Sequence, residues 1–192
     1  MSCIYCASIA CLCYNRSVDS NGEAYLDIET TGLSPQCCDI TVIGIHLFKP
    51  PDREEFVQLV GDDITPKNLL AAMEGIGRLF TFNGARFDLP WIRHHLGLDL
   101  SAGGIEHYDL MYYCHRRHLF GGLKKIEPLL GIPRSLPEMN GYQAVKLWWR
   151  YINDFDHQAL ATLLAYNKED TRNLVQLRRL VMNDFAPPPD VV

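Results

Sequence analysis

At 192 residues the chain is long enough for one domain, and 47% hydrophobic against 21% charged residues excludes a disordered polypeptide. A formal charge of −5 leaves no basic footprint, which argues against a non-specific nucleic-acid coat protein but not against an enzyme whose acids are offset by bound metal. No apolar run reaches the ~18 residues of a membrane span, and no Lys or Arg precedes the apolar part of "MSCIYCASIACLCYNR". The expectation is therefore a cytoplasmic protein with no membrane contact and mostly reduced cysteines.

Residues 1–22 form a Cys-rich segment whose role the sequence does not disclose. Cys3, Cys6, Cys11 and Cys13 lack the well-separated close pairs of common zinc patterns and read as half-buried thiols. The domain proper is expected over 23–183, with a Pro-rich tail at 184–192. "EAYLDI" (23–28), "ITVIGIHLF" (40–48) and "EEFVQLV" (54–60) read as three strands of an antiparallel meander. "TPKNLLAAMEGIG" (65–77) starts as a helix at Thr–Pro and ends at glycines, "RLFTFN" (78–83) is a fourth strand, and "DLPWIRHHLG" (88–97) is a helix with Asp88 as its cap. "IEHYDL" (105–110) is a fifth strand leading into the helix "LMYYCHRRHLF". "GLKKIEPLLGI" and "GYQAVKLWWRYI" are helical pieces separated by "PRSLPEMN", and 156–182 is a long helix free of Gly and Pro. Three strands followed by alternating helix and strand give an α/β fold with a mixed five-stranded central sheet flanked by helices.

Three stretches carry chemistry. Asp27 and Glu29 are two apart on a strand and so share a face. Such a pair either repels until a divalent cation bridges it, all-oxygen ligands suiting Mg²⁺ or Mn²⁺, or lies on a solvated edge. Asn83 ends a strand five residues before Asp88. Tyr166 and Asp170 are four apart on a helix and share one face, where they either serve a metal site or are a seam tyrosine and an exposed acid.

Taken in order, Asp27-Ile28-Glu29, Asn83-Gly84-Ala85-Arg86-Phe87-Asp88 and Tyr166-Asn167-Lys168-Glu169-Asp170 resemble the motifs of DEDD exonucleases of the ribonuclease-H-like superfamily, in the branch with tyrosine in the third motif. The flanks "GLKKIEPLLGI" and "YNKEDTRNLVQL" are similar to the YprB-like predicted exonucleases and to the proofreading domains of family-B polymerases. The resemblance spans roughly 23–182. It implies a ribonuclease-H-like fold and a metal-dependent 3′–5′ exonuclease acting on the 3′ end of single-stranded DNA or RNA, with 5′-monophosphates released. It also implies that Asp27, Glu29, Asp88 and Asp170 hold two divalent ions, with Tyr166 orienting the water or the phosphate.

Thr30, Asn83, Arg86, Asp109 and Lys124 are candidates for substrate contact. Asp109 reads equally as a hydrogen-bond organiser or a helix cap, and Arg116, Arg117, Lys124 and Lys125 as phosphate grips or a solvated face. Phe87 and Trp91 are expected in the core rather than against a base, Trp148-Trp149 between the terminal helices, and His115 with His118 lacks a third zinc ligand. The rival reading is a catalytically inactive nucleic-acid-binding or scaffold domain of the same fold.

Overall fold

The computed structural model describes residues 21–102 and 104–182, so the four N-terminal cysteines and the Pro-rich tail lie outside the described residues. Side-chain alternation along β1 (Gly22–Thr30) decides the layering. Ala24, Leu26 and Ile28 enter one core, whereas Tyr25 enters another on the opposite face, which Asp27 and Glu29 share with it. β2 (Ile40–Lys49) pairs antiparallel with β1 and with β3 (Arg53–Val60). β4 (Ile76–Thr81) runs parallel to β1 and to β5 (Glu106–Asp109), giving the order β3-β2-β1-β4-β5. This is the mixed five-stranded sheet the sequence predicts.

The first core packs the even face of β1 and its neighbours against α1 (Pro66–Ala72) and α2 (Asp88–Leu96), with Leu69, Met73, Trp91 and Ile92 buried. The second face is covered by α3 (Leu110–Arg116), α4 (Leu123–Leu129), α5 (Gly141–Asp154) and the 25-residue α6 (His157–Val181). Asn140 and Asp156 cap α5 and α6 through their side chains. No helix among the described residues is long and apolar enough to cross a membrane.

Several element boundaries differ from the sequence reading, four of them for a visible reason. α1 begins at the predicted Thr–Pro, where Thr65 Oγ1 accepts the Asn68 N–H at 3.1 Å, but it ends at Ala72. Gly75, at φ 77°, turns the chain there, and Gly77 lies inside β4, which starts two residues early. β4 then stops at Thr81 rather than Asn83, whose φ of 63° takes it out of the strand. α3 closes at Arg116, four residues short, because His118 adopts a left-handed backbone at φ 58°. Trp148 packs with Leu163 and Tyr166 as expected, but Trp149 does not share that burial and is 45% exposed.

Candidate metal centre and cleft

The sheet opens where the site forms. β1 and β4 are paired from Gly22 to Tyr25 on β1, and no further, so the Ile28 N–H has lost its strand partner. Asp88 supplies one: its Oδ1 accepts that N–H at 3.1 Å. The expectation that Asp88 caps α2 is thus corrected. Phe87 occupies the cap position without a side-chain bond, and Asp88 is the first helical residue, buried and turned toward β1.

On the other side of β1, α6 brings Asp170 to Asp27 and Glu29. One ligand atom from each of these three carboxylates lies within 4.8 Å of the others, the one such group among the described residues. Tyr166, one turn earlier on α6, is buried beside them. A row across the sheet holds Asp27 in place. Gln58, Gly44 and Asp27 are in register on β3, β2 and β1. Asn167 lies over the glycine, accepting from Gln58 Nε2 at 2.9 Å and donating to both the carbonyl and Oδ2 of Asp27 at 3.1 Å.

Gly44 is required for that bridge, because a Cβ there would fall 2.1 Å from Asn167 Oδ1. Alanine normally improves a strand interior relative to glycine. Here Gly44→Ala should instead destabilise by about 1–3 kcal/mol through overpacking. Urea denaturation of the variant measures this, and an unchanged or improved midpoint would show that Asn167 is not confined.

Electrostatically the site is in conflict with itself. Burial holds Asp27 well above the usual carboxylate range, and the charges of Asp170, Glu29 and Asp88 add to the rise, opposed by the bond from Asn167. Glu29 is raised by burial and by Asp170, with Lys124 pulling the other way. Asp88 is pushed up to about 7 by burial, against the pull of its backbone hydrogen bonds. Burial also raises Asp170, although the adjacent Arg134 guanidinium opposes it. Tyr166 is driven far above the ordinary phenol range, first by burial and then by Asp170, Glu29 and Asp27. In the metal-free protein it is therefore a neutral hydroxyl that can donate a hydrogen bond.

These residues fit a hard divalent cation. Three convergent carboxylate oxygens are the donor set that such ions take, and Glu29 Oε1 is buried with no hydrogen-bond partner among the described residues. An unsatisfied carboxylate oxygen is costly, and a cation is the partner that would satisfy it. The acids floor a cleft of about 510 Å³, walled by Thr30 at the end of β1 and Thr31–Leu33 beyond it, by Phe87, and by Gly141, Tyr142 and Val145 at the start of α5.

The remaining sequence candidates divide. Thr30 lines the cleft, its hydroxyl donating to the Gly32 carbonyl at 2.6 Å. Asp109 is both cap and organiser: its carboxylate accepts from Met111 N in α3 and from Asn83 N and Ala85 N in the loop before Asp88, at 2.8–3.1 Å. Asn83 is held there by its backbone.

Lys124 turns inward instead of lying on a solvated face. Its ammonium sits 4.2 Å from the Tyr166 ring centroid and donates to the Met139 carbonyl, and burial lowers its pKa. Arg86, Arg116 and Lys125 are exposed, and Arg117 Nε donates to the Val181 carbonyl at 3.0 Å. Trp91 is core, as expected, while Phe87 packs on it and also reaches the cleft.

Sequence reasoning missed Asn167, Glu127 and Arg134. Asn167 falls inside the third motif, three residues before Asp170 and hence on the same helix face, which was the available signal. Arg134 stands in a Pro-flanked connection and gave none.

Fold and site together define an α/β domain with an acidic, cation-accepting cleft at the end of its central strand. A family model described as the RNase_H superfamily matches residues 24–182, and the chain belongs to that superfamily. It is 26% identical over 192 residues to a protein of Bacillus subtilis (strain 168) named "Uncharacterized protein YprB". That match takes in 90% of this chain but 46% of the relative, so the chain spans about half of that protein's length. Among solved structures, the family B DNA polymerase of Pyrobaculum calidifontis superposes with a TM-score of 0.63 at 16% identity, covering 84% of this chain and 24% of the polymerase. NrnC of Brucella melitensis gives 0.50 at 19% identity, covering 83% and 71%. These likenesses establish the ribonuclease-H-like fold.

Proposed function

We propose that the domain is a nuclease, specifically a 3′–5′ exonuclease that removes nucleotides from the 3′ end of single-stranded DNA or RNA with two divalent ions, Mg²⁺ or Mn²⁺. The observation that carries this reading is the convergence of Asp27, Glu29 and Asp170 on one point of an open cleft, with Glu29 Oε1 unpartnered among the described residues. Membership of the RNase_H superfamily supports hydrolysis of a phosphodiester, and the ordered motifs ending in Tyr166 and Asp170 support action from a 3′ end.

In the reaction, water adds to phosphorus and the P–O3′ bond breaks. The shortened strand keeps a 3′-hydroxyl and the released nucleotide keeps its 5′-phosphate. Asp27, Glu29, Asp170 and, from the far side of β1, Asp88 would hold the ions. Bound there, the metals supply an activated water and charge neutralisation for the departing oxygen. Tyr166 stays protonated and orients by hydrogen bonding, and the Lys124 ammonium over its ring adds positive charge close to the acids. The turn Thr30–Leu33, Phe87 and Tyr142 offer walls for the terminal nucleotide.

Incubation of the protein with 5′-labelled single-stranded DNA and RNA, in Mn²⁺, Mg²⁺ or EDTA, tests this. The expected result is a ladder shortening from the 3′ end that requires metal. Internal cuts would make the domain an endonuclease, and binding without cleavage would make it a scaffold.

A further inference from the structure

The connection between α4 and α5 is tied to one stretch of α6. Asn173 Nδ2 donates to the Pro133 carbonyl at 3.3 Å, and the Glu169 carboxylate accepts the backbone N–H groups of Ser135 and Leu136. Between these ties sits Arg134, whose side chain is 7% exposed. It engages Glu127 through both Nε and Nη2, and Nη2 also donates to Asp170 Oδ1. Glu127 is completely buried and takes a further bond from Asn173 at 2.9 Å.

The two carboxylates have different standing. Glu127 needs a cation, because a lone buried carboxylate costs several kcal/mol, and it therefore anchors the guanidinium. Asp170 belongs to the cleft. A rigid fork that bonds the first carboxylate can fix the second, which a flexible ammonium cannot do as well. Asp170 lines the cleft and Arg134 does not, so the arginine acts through Asp170 rather than on substrate.

We propose that Arg134 is a positioning residue, anchored by Glu127 and by the tied loop at 133–136, that sets the Asp170 carboxylate for divalent-cation binding. It also serves as the resident countercharge of the acid cluster before a cation arrives. The inference deepens the nuclease reading and rests on it for its link to turnover. Its direct consequence, however, is for cation binding.

The test is Mn²⁺ titration calorimetry on the full chain, comparing wild type with Arg134→Lys, which keeps the charge and removes the fork. Loss of a residue that orients a ligand typically costs 10–100-fold in metal affinity. The expected result is a loss of at least ~10-fold, with kcat reduced and KM for an oligonucleotide unchanged. If Arg134→Lys does not fold, Glu169→Ala unties the loop and removes the 3.8 Å ion pair of Glu169 with Arg134 Nη1, without touching Glu127 or Asp170, and should weaken Mn²⁺ several-fold. Unchanged Mn²⁺ affinity with only a lower thermal midpoint would reduce Arg134 to a structural role and overturn the proposal. A wild type that binds Mn²⁺ without cleaving, with Arg134→Lys weakened, would uphold the positioning role while the nuclease reading fails. A wild type that does not bind Mn²⁺ would defeat both.

Discussion

Asp27→Asn will abolish strand shortening, by about 10³-fold or more, and will make the metal-free protein more stable. The two halves have one cause. Asp27 is raised well above the ordinary carboxylate range because burial and three acidic neighbours penalise its charge. In the metal-free protein that cost is borne as repulsion or as an extra bound proton, and a cation relieves both. An amide is nearly isosteric, keeps a carbonyl oxygen for the Asn167 Nδ2 donor and removes the charge, so the repulsion with Asp170, Glu29 and Asp88 disappears.

Relief of about 1–2 kcal/mol would lift the thermal midpoint of a chain this size by several degrees. Catalysis responds in the opposite sense, because one of three converging ligand oxygens is lost and with it several kcal/mol of transition-state stabilisation. Differential scanning fluorimetry in EDTA and the end-labelled strand assay read the two effects. A variant that loses activity because it unfolds would show a lower midpoint, and that result would contradict the electrostatic account.

The strands and the acids were the legible part of this protein. The apolar run in "EAYLDI" gave the strand, strand geometry then gave the common face of Asp27 and Glu29, and the Thr–Pro start of α1 and the strand-to-helix junction at Asp109 fell where expected. The ribonuclease-H-like fold, expected from the ordered motifs, and the similarity to YprB and to family-B polymerases, expected from the flanks "GLKKIEPLLGI" and "YNKEDTRNLVQL", are borne out. What escaped was everything that depends on contacts far apart in sequence. Asp88 looks like a cap because local pattern cannot reveal that β4 parts from β1 after Tyr25 and leaves Ile28 N–H without a strand partner. Nothing local marks Glu127 and Arg134, because their burial is decided by α6 packing over them. Gly44 looks like a weak point of β2, yet its missing Cβ is the space Asn167 occupies. For Asp88 and Gly44 the local preference is plain, and a buried polar group elsewhere in the chain overrides it.

Saturating metal should abolish the pH trend of stability, and this is the sharper physical test of the site. In the metal-free protein Asp27, Glu29, Asp88 and Asp170 all bind protons more tightly than they would unfolded, Asp88 with a pKa of about 7. Around neutral pH the native state therefore holds protons that the unfolded chain, with carboxylates near ~4, has already released. With more protons bound in the native state, stability falls as pH rises, by up to ~1.4 kcal/mol per pH unit for each proton concerned. The stabilising contribution is full below about pH 4, and Asp88's share is lost as the pH passes through about 7.

His107 and Lys124, whose pKa values are lowered by burial, work in the opposite sense, His107 only below its ordinary value of ~6.5 and Lys124 below ~10.4, as one group against four acids. The window in which the acids act without His107 is therefore about pH 6.5 to about 8. In EDTA the thermal midpoint should decline across that window. In saturating Mn²⁺ the decline should vanish, because the cation takes the place of the protons and binds better as they leave. The stabilisation by metal, the gap between the two curves, must then widen with pH. A gap that narrows, or an EDTA curve that rises, would mean that the four acids are not a mutually repelling cluster awaiting a cation.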